Sequence, residues 1–432
     1  MKIIRNLLLL AGLFLMFGCG SAKGPETGNV IFIHPDGTGV SNWNATRLVY
    51  YGPDGKLNWD KLPNVAVYLG HAKNSISPAS HSGATMHAYG VKVDRDSYGM
   101  DKDAELTALS GKKKSILMEA MEAGLQTGII NSGTIVEPGS GVFAASDTSR
   151  REHEAIAEKI IDSGADVIMA GGEEWLIPAG SEGYHGEGRR SDGLNLIEKA
   201  KGDGYFIVYN AEELKNMPDS VTKVLGVFAS RNTYNDVSEE EQAAEDLPNY
   251  NPEAPTVAEM TEAALELFSR SDRNFLLVVE EEGTDNFGNK NNAKGMLEAL
   301  KNADDAIGVS QKFLEKNPET LIITAADSEA GGMEVFGEPD EFFEKYPKAP
   351  EFTDKGAPFD GVEGSETEPF TAKPDKSGKE LKFFVAWSTG ADVYGSVVSR
   401  AAGLNADKVR GTIDNTDVYR IMYLTLFGEW LD

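Results

Sequence analysis

Four acidic residues stand at or just beyond the ends of apolar, strand-like runs. Asp36 follows residues 29–34 (NVIFIH), Glu280 follows 274–279 (NFLLVV), Asp285 lies five residues further on, and Asp327 follows 320–326 (TLIITAA). Carboxylates held at the carboxyl ends of strands are how an α/β sheet assembles a divalent-cation site. One acid after a strand is ordinarily a loop residue or a helix cap; four in this setting point to a shared site. A second focus of chemistry is the segment 80–85 (SHSGAT). Small residues on both sides of a serine suit a nucleophile at a helix start, where backbone N–H groups stabilise its anion. Alone, the same cluster reads as a turn or cap.

The elements that must position these residues alternate along the chain. Strand-like runs occur at 29–34, 64–69, 128–130, 166–170, 223–229, 320–326 and 382–387. Between them, apolar residues at helical spacing predict helices over 115–123, around 156–161, and over 257–268 and 293–316, with a closing helix at 416–427. Gly124 and Gly164 follow helices as C-caps. Strands alternating with helices imply an α/β fold with a largely parallel sheet covered on both faces. Three stretches read as insertions: 173–191 (Gly-rich), 231–255 (acidic and Asn-rich) and 337–378, which is rich in Pro, Gly, acids and aromatics. An insertion of the last length in a compact domain is usually a lid or a binding surface.

With the elements placed, the motifs resemble those of the alkaline phosphatases. Residues 29–39 (NVIFIHPDGTG) are similar to that family's first strand and metal-binding Asp-Gly. Residues 80–92 are similar to its nucleophile segment, where Thr85 and Gly90-Val91-Lys92 set the register and place Ser80, not Ser82, at the nucleophile. From Thr127-Gly128 to Thr148-Ser149-Arg150 the spacing matches without a gap. Arg150 falls on the arginine that clamps phosphate, and Glu137 on a position beside the substrate and metal. Residues 280–293 supply Glu280, Asp285 and Asn289, and 321–332 supply Asp327 and Ser328. The resemblance covers nearly the whole chain after the N-terminal segment. It implies a three-layer sandwich (residues 29–432) with a central, mostly parallel sheet and helices on both faces. It also implies a phosphate monoester hydrolase that works through phosphoserine at Ser80, with Arg150 and Glu137 binding substrate. Asp36, Glu280, Asp285, Asp327, Asn289 and Ser328 are the implied metal ligands. Asp36 and Asp327 share the nucleophile's metal in this assignment, and Glu280 supports a magnesium-like position.

The departures from that pattern have physical content. Asn289 and Ser328 stand where the family carries zinc histidines, and the nearest register for the last one offers Ser377. Ala79 replaces the aspartate before the nucleophile, and Gly139 replaces a magnesium-supporting threonine with Ser140 beside it. Zinc favours imidazole, whereas magnesium and calcium favour oxygen, so the oxygen-rich set favours Mg²⁺ or Ca²⁺, with zinc held more weakly. His34 and His81 lie near the motif residues and are the available substitute ligands. The same departures keep two alternatives open. One is a phosphodiesterase or other ester hydrolase of the superfamily; the other is a catalytically silent binding lipoprotein. The absence of a Cys-x-Pro-x-Arg stretch argues against a formylglycine sulfatase.

The remaining composition concerns compartment and partners. Lys2 and Arg5, an apolar run at 7–17 and Gly18-Cys19 resemble a bacterial lipoprotein signal of residues 1–18. It would be followed by a polar tether at 19–28, with lipid on Cys19. This predicts an exported protein, periplasmic or anchored at the outer membrane, with room for a homodimer. Cys19 is the only cysteine, so no disulfide and no thiolate metal ligand follow from the chain. A net charge of −28 argues against nucleic acid as a partner. A small phosphate ester would be repelled as well, unless metal ions and arginines reverse the field locally.

Overall fold

The computed structural model describes residues 26–352, 356 and 358–432. The expected signal and most of the tether lie outside the described residues. The centre is a ten-stranded sheet. From one edge its strands are Gly411–Asp414, Asn64–Leu69, Val398–Gly403, Thr320–Thr324, Asn29–Pro35, Phe275–Glu281, Gln126–Thr134, Val167–Gly171, Val224–Val227 and Phe206–Val208. All neighbours pair in parallel except Val398–Gly403, which runs antiparallel to both of its partners.

Period-two alternation explains the layers. In the central strand, Val30 and Phe32 point into one core and Ile31 and Ile33 into the other. The first core receives Met86, Ile116, Ile156 and Tyr419 from the helices Ser80–Tyr89, Ile116–Glu122, His153–Ser163 and Asn415–Phe427. The second receives Trp43, Met260, Leu300 and Ile307 from Val40–Tyr51, Val257–Phe268 and Ala293–Lys316. Both faces of the central strands are therefore dry, as their unbroken apolar runs require.

The outcome differs from the sequence reading at several elements. The short strand at 128–130 is part of a nine-residue strand, Gln126–Thr134. Its polar carboxyl half hides the strand from a hydrophobicity pattern, yet all nine residues are buried. The strand at 382–387 forms, but outside the main sheet: it pairs antiparallel with Met333–Phe336, Phe359–Asp360 and Phe370–Thr371. The insertion at 337–378 is thus built largely around that second sheet. Three of its phenylalanines turn inward, with Phe343 and Phe359 packing on Phe384 and Phe370 stacking on Phe383, whereas Phe352 is exposed. The insertion at 231–255 contains the helix Glu239–Glu245 and lies beside the acidic segment, where Tyr250 donates to Glu281 at 2.7 Å.

Candidate active site

Parallel register assembles the floor of the site. His34, Glu280 and Asn131 are direct partners across three adjacent strands, so their side chains emerge in one row on one face. Glu280 lies inside its strand rather than beyond it. Its Oε2 accepts from the backbone N–H of Ser140 at 2.5 Å and from the Asn131 amide. That amide also donates to Ser140 Oγ at 3.0 Å, so the serine beside Gly139 serves as a partner for Asn131. Gly139 itself has no room for a side chain: a Cβ there would lie 2.0 Å from Glu280 Oε1.

Asp36 leaves the central strand at its carboxyl end and meets the next helix. The Gly37 N–H donates to Asp36 Oδ1 at 2.7 Å, from a left-handed turn with φ of 62°. The helix Ser80–Tyr89 is buried along its whole length and begins here. Gly83 is what lets it approach, because a Cβ at that position would lie 2.2 Å from Asp327 Cβ. The two serines have separate partners. Ser82 Oγ closes the helix start, accepting from Ala79 N–H at 3.0 Å and donating to the Ala79 carbonyl at 2.9 Å. The Ser80 hydroxyl instead stands by the Asp36 carboxylate and helps to hold its pKa low. Asp327 reaches the same carboxylate from the far side, and Ser328 donates to Asp327 at 3.3 Å.

Asp285 lies on the short helix Gly283–Asn289, one turn before Asn289. The Asn289 amide donates to Asp285 Oδ2 at 3.0 Å and to Asp392 Oδ1 at 2.9 Å. Asp392, at a two-residue bridge to Ala330, thus stands where the sequence register suggested Ser377. Ser377 lies in an exposed turn, bonded to Asp375. Across the opening, Arg150 donates to Glu137 at 3.0 Å and is 41% exposed at its side chain, so it remains reachable by a ligand.

Charge crowding dominates the electrostatics. Burial and the neighbouring Asp36 push Asp327 well above the usual carboxylate range. Asp36 goes the other way despite its burial, because the neighbouring Asp327, His34 and Ser80 hold it low. Burial raises Glu280 and Glu281 to about 7. Burial, with Glu137 and Glu280 nearby, raises Glu282, and burial with Asp392 raises Asp285. Burial also lowers His81 to about 4, helped by Arg150, so it is neutral near pH 7.

Several of these buried oxygens have no partner: Asp36 Oδ2, Glu280 Oε1, Glu282 Oε2, Asp285 Oδ1, Asn289 Oδ1 and Asp327 Oδ2. A protein interior does not keep so many acceptors unpaired without cations to meet them. The donor set therefore fits divalent metal. Asp285, Asn289 and Asp392 offer oxygen at one end, Asp36, Asp327 and Ser328 offer oxygen beside Ser80, and Glu280 and His34 lie on the other side of Asp36.

The sequence profile of the family described as Alkaline phosphatase matches residues 27–427. This chain belongs to the alkaline phosphatase family. It is a phosphoric ester hydrolase by that membership. Alkaline phosphatase 4 of Bacillus subtilis is 25% identical over 93% of this chain and 89% of its own. The Escherichia coli alkaline phosphatase is 26% identical over 69% of each. Among solved structures, the Thermus thermophilus enzyme superposes with a TM-score of 0.71 at 21% identity, covering 93% of this chain and 92% of its own. The enzyme of the Antarctic bacterium TAB5 gives 0.70 at 20%, covering 93% and 98%; a variant of it was solved with magnesium bound.

The fold places Asp36, Ser80, Glu137, Arg150, Glu280, Asp285, Asn289, Asp327 and Ser328 around the carboxyl end of the central strands. Sequence reasoning missed Asn131, Glu282 and Asp392, and left His34 as one of two spare histidines. Asn131 is hidden in a strand that looks too short. Glu282 is the last of three consecutive glutamates, Glu280 to Glu282, a run that carries no period. His34 carried a usable signal, since it lies two residues before Asp36 on the face set by Val30 and Phe32.

Proposed function

We propose that this family member is a metal-dependent hydrolase of phosphate monoesters, with Ser80 as the nucleophile. The observation that carries this is that the Ser80 hydroxyl stands beside the Asp36 carboxylate while Ser82 is committed to the helix cap. Asp36 is ionised at neutral pH and faces Ser80 as a carboxylate. Ser80 gives its hydroxyl proton to solvent as Oγ bonds to phosphorus and the ester P–O bond breaks, and the alcohol leaves with a proton from solvent. Water then attacks the phosphoserine, releasing phosphate and restoring Ser80. Arg150, beyond the N–H it gives Glu137, presents a planar fork to two non-bridging oxygens. Divalent metal held by the carboxylates supplies the Lewis acidity and offsets the negative charge that the site would otherwise turn toward phosphate.

Hydrolysis of an aryl phosphate monoester and an aryl diester, each with Mg²⁺, Ca²⁺ or Zn²⁺, tests the reading. The monoester should turn over, Ser80→Ala should abolish turnover, and Ser82→Ala should retain part of it. Preferential diester turnover would move the chain to the phosphodiesterase reading. No turnover with any metal would leave a binding lipoprotein.

Export as a lipoprotein is part of the same proposal. It is supported by the basic start, the apolar run and Cys19. Mass analysis of the N-terminal peptide should find cleavage before Cys19 and a lipidated sulfur; an unprocessed Met1 would overturn it.

A further inference from the structure

We propose that His34, Asp36 and Glu280 form an imidazole-containing cation site that prefers a transition-metal dication over magnesium or calcium. The inference rests on the metal-dependent reading above but concerns the chemistry of one position within it. One donor atom from each residue lies within 4.8 Å of the others, and all three residues are buried. His34 Nε2, Asp36 Oδ2 and Glu280 Oε1 are each without a hydrogen bond, and Nε2 has only the ion-pair contact of 3.5 Å to Asp36 Oδ1.

The other ring nitrogen decides what Nε2 offers. His34 Nδ1 lies 2.7 Å from the carbonyl oxygen of Ala325. A carbonyl can only accept, so Nδ1 donates to it, and Nε2 faces the carboxylates, 3.5 Å from Asp36 Oδ1, where a bound cation would take the place of a proton. A backbone carbonyl that fixes tautomer and ring orientation is the usual support of a metal-ligating histidine. Packing holds the ring as well, edge-on to His87 with centroids 5.5 Å apart and 5.8 Å from Phe32.

The space for this ring comes from Gly139. A Cβ at that position would lie 2.7 Å from His34 Cδ2 and 2.0 Å from Glu280 Oε1. No side chain at position 139 can therefore enter while His34 and Glu280 hold these positions. The absent side chain and the inserted imidazole are two halves of one exchange, in which a nitrogen from the sheet takes the room on that side of Asp36. One nitrogen with two carboxylates is a donor set for Zn²⁺, Mn²⁺ or Co²⁺ rather than for a hard oxygen-seeking ion.

Two readouts that need no turnover test this. The full-length protein is stripped with a chelator and loaded with Mn²⁺, and electron spin-echo spectroscopy then reads nitrogen bound to the ion. Wild type should show imidazole ¹⁴N coupling, and His34→Asn should lose it. Elemental analysis after Zn²⁺ loading should show His34→Asn holding one equivalent less, with affinity at that position weakened by about tenfold or more. Absence of ¹⁴N coupling in wild type would overturn the proposal without any variant, so a folding defect in His34→Asn cannot shield it. Unchanged zinc content in a folded His34→Asn protein would overturn it as well. If the phosphatase reading alone fails, turnover is missing while the nitrogen coupling and zinc equivalent persist.

Discussion

At the residue scale, the site separates roles that a sequence motif merges. Ser80 and Ser82 are two residues apart, yet one faces a carboxylate and the other closes a cap. Arg150 keeps one bond to Glu137 and stays reachable. Arg150→Ala should therefore lower kcat/KM by roughly ten- to hundredfold in steady-state kinetics, the worth of a charge-assisted hydrogen-bond pair. Melting temperature should change little, because a half-exposed ion pair contributes little to folding. Asp392 makes a different prediction. It shares the Asn289 amide with Asp285, so Asp392→Ala should weaken metal binding there and raise the metal concentration needed for half-maximal activity. An unchanged metal titration would remove Asp392 from the ligand set.

At the scale of elements, the decisive contact is between the helix Ser80–Tyr89 and the loop carrying Asp327. Gly83 permits it, with only 2.2 Å between its absent Cβ and Asp327 Cβ. Gly83→Ala brings two opposed effects. Alanine gains about 1 kcal/mol of helix propensity, whereas overpacking costs about 1–3 kcal/mol. Stability should fall modestly or stay level, but Ser80 and Asp327 must move apart, and displacement of about 1 Å at a reacting centre costs about a hundredfold in rate. Turnover falling far more than melting temperature is the expected signature; proportional losses would mean that the helix merely supports the fold. The same scale shows why the second sheet escaped detection as a separate unit. Phe359–Asp360 and Phe370–Thr371 are two residues each and carry no period, and only their pairing to Lys382–Trp387 makes them strands.

At the scale of the molecule, charge is the governing quantity. The chain carries −28 overall and concentrates buried carboxyls at one end of its sheet. Burial raises Glu280 and Glu281 to about 7. A carboxyl whose pKa rises on folding stabilises the fold below the ordinary carboxylate range and loses that contribution as pH climbs through its folded pKa. Metal-stripped protein should therefore melt at progressively lower temperature from about pH 5 to about pH 8.5, as read by calorimetry. Saturating divalent metal should raise the melting temperature most at the alkaline end, because bound cation replaces the protons. A flat or rising profile for the stripped protein would show that these carboxyls do not carry the strain assigned to them.

Much of this protein was legible before folding is considered. The apolar runs and their alternation with helices specify a parallel sheet, because burial on both faces demands continuous hydrophobic strands. Asp36, Ser80, Glu280 and Asp327 could be picked out because each sits at the end of a run or in a cluster of small residues. What the chain order could not give is adjacency across the sheet. His34, Glu280 and Asn131 become one row through strand register, although Asn131 and Glu280 are 149 residues apart. Asp392 reaches Asn289 over 103 residues through a two-residue bridge. The tautomer of His34 is set by a carbonyl 291 residues away. Local periodicity decides which face a residue points to; only the order and register of the strands decide which other residues share that face, and so which donors a cation would meet.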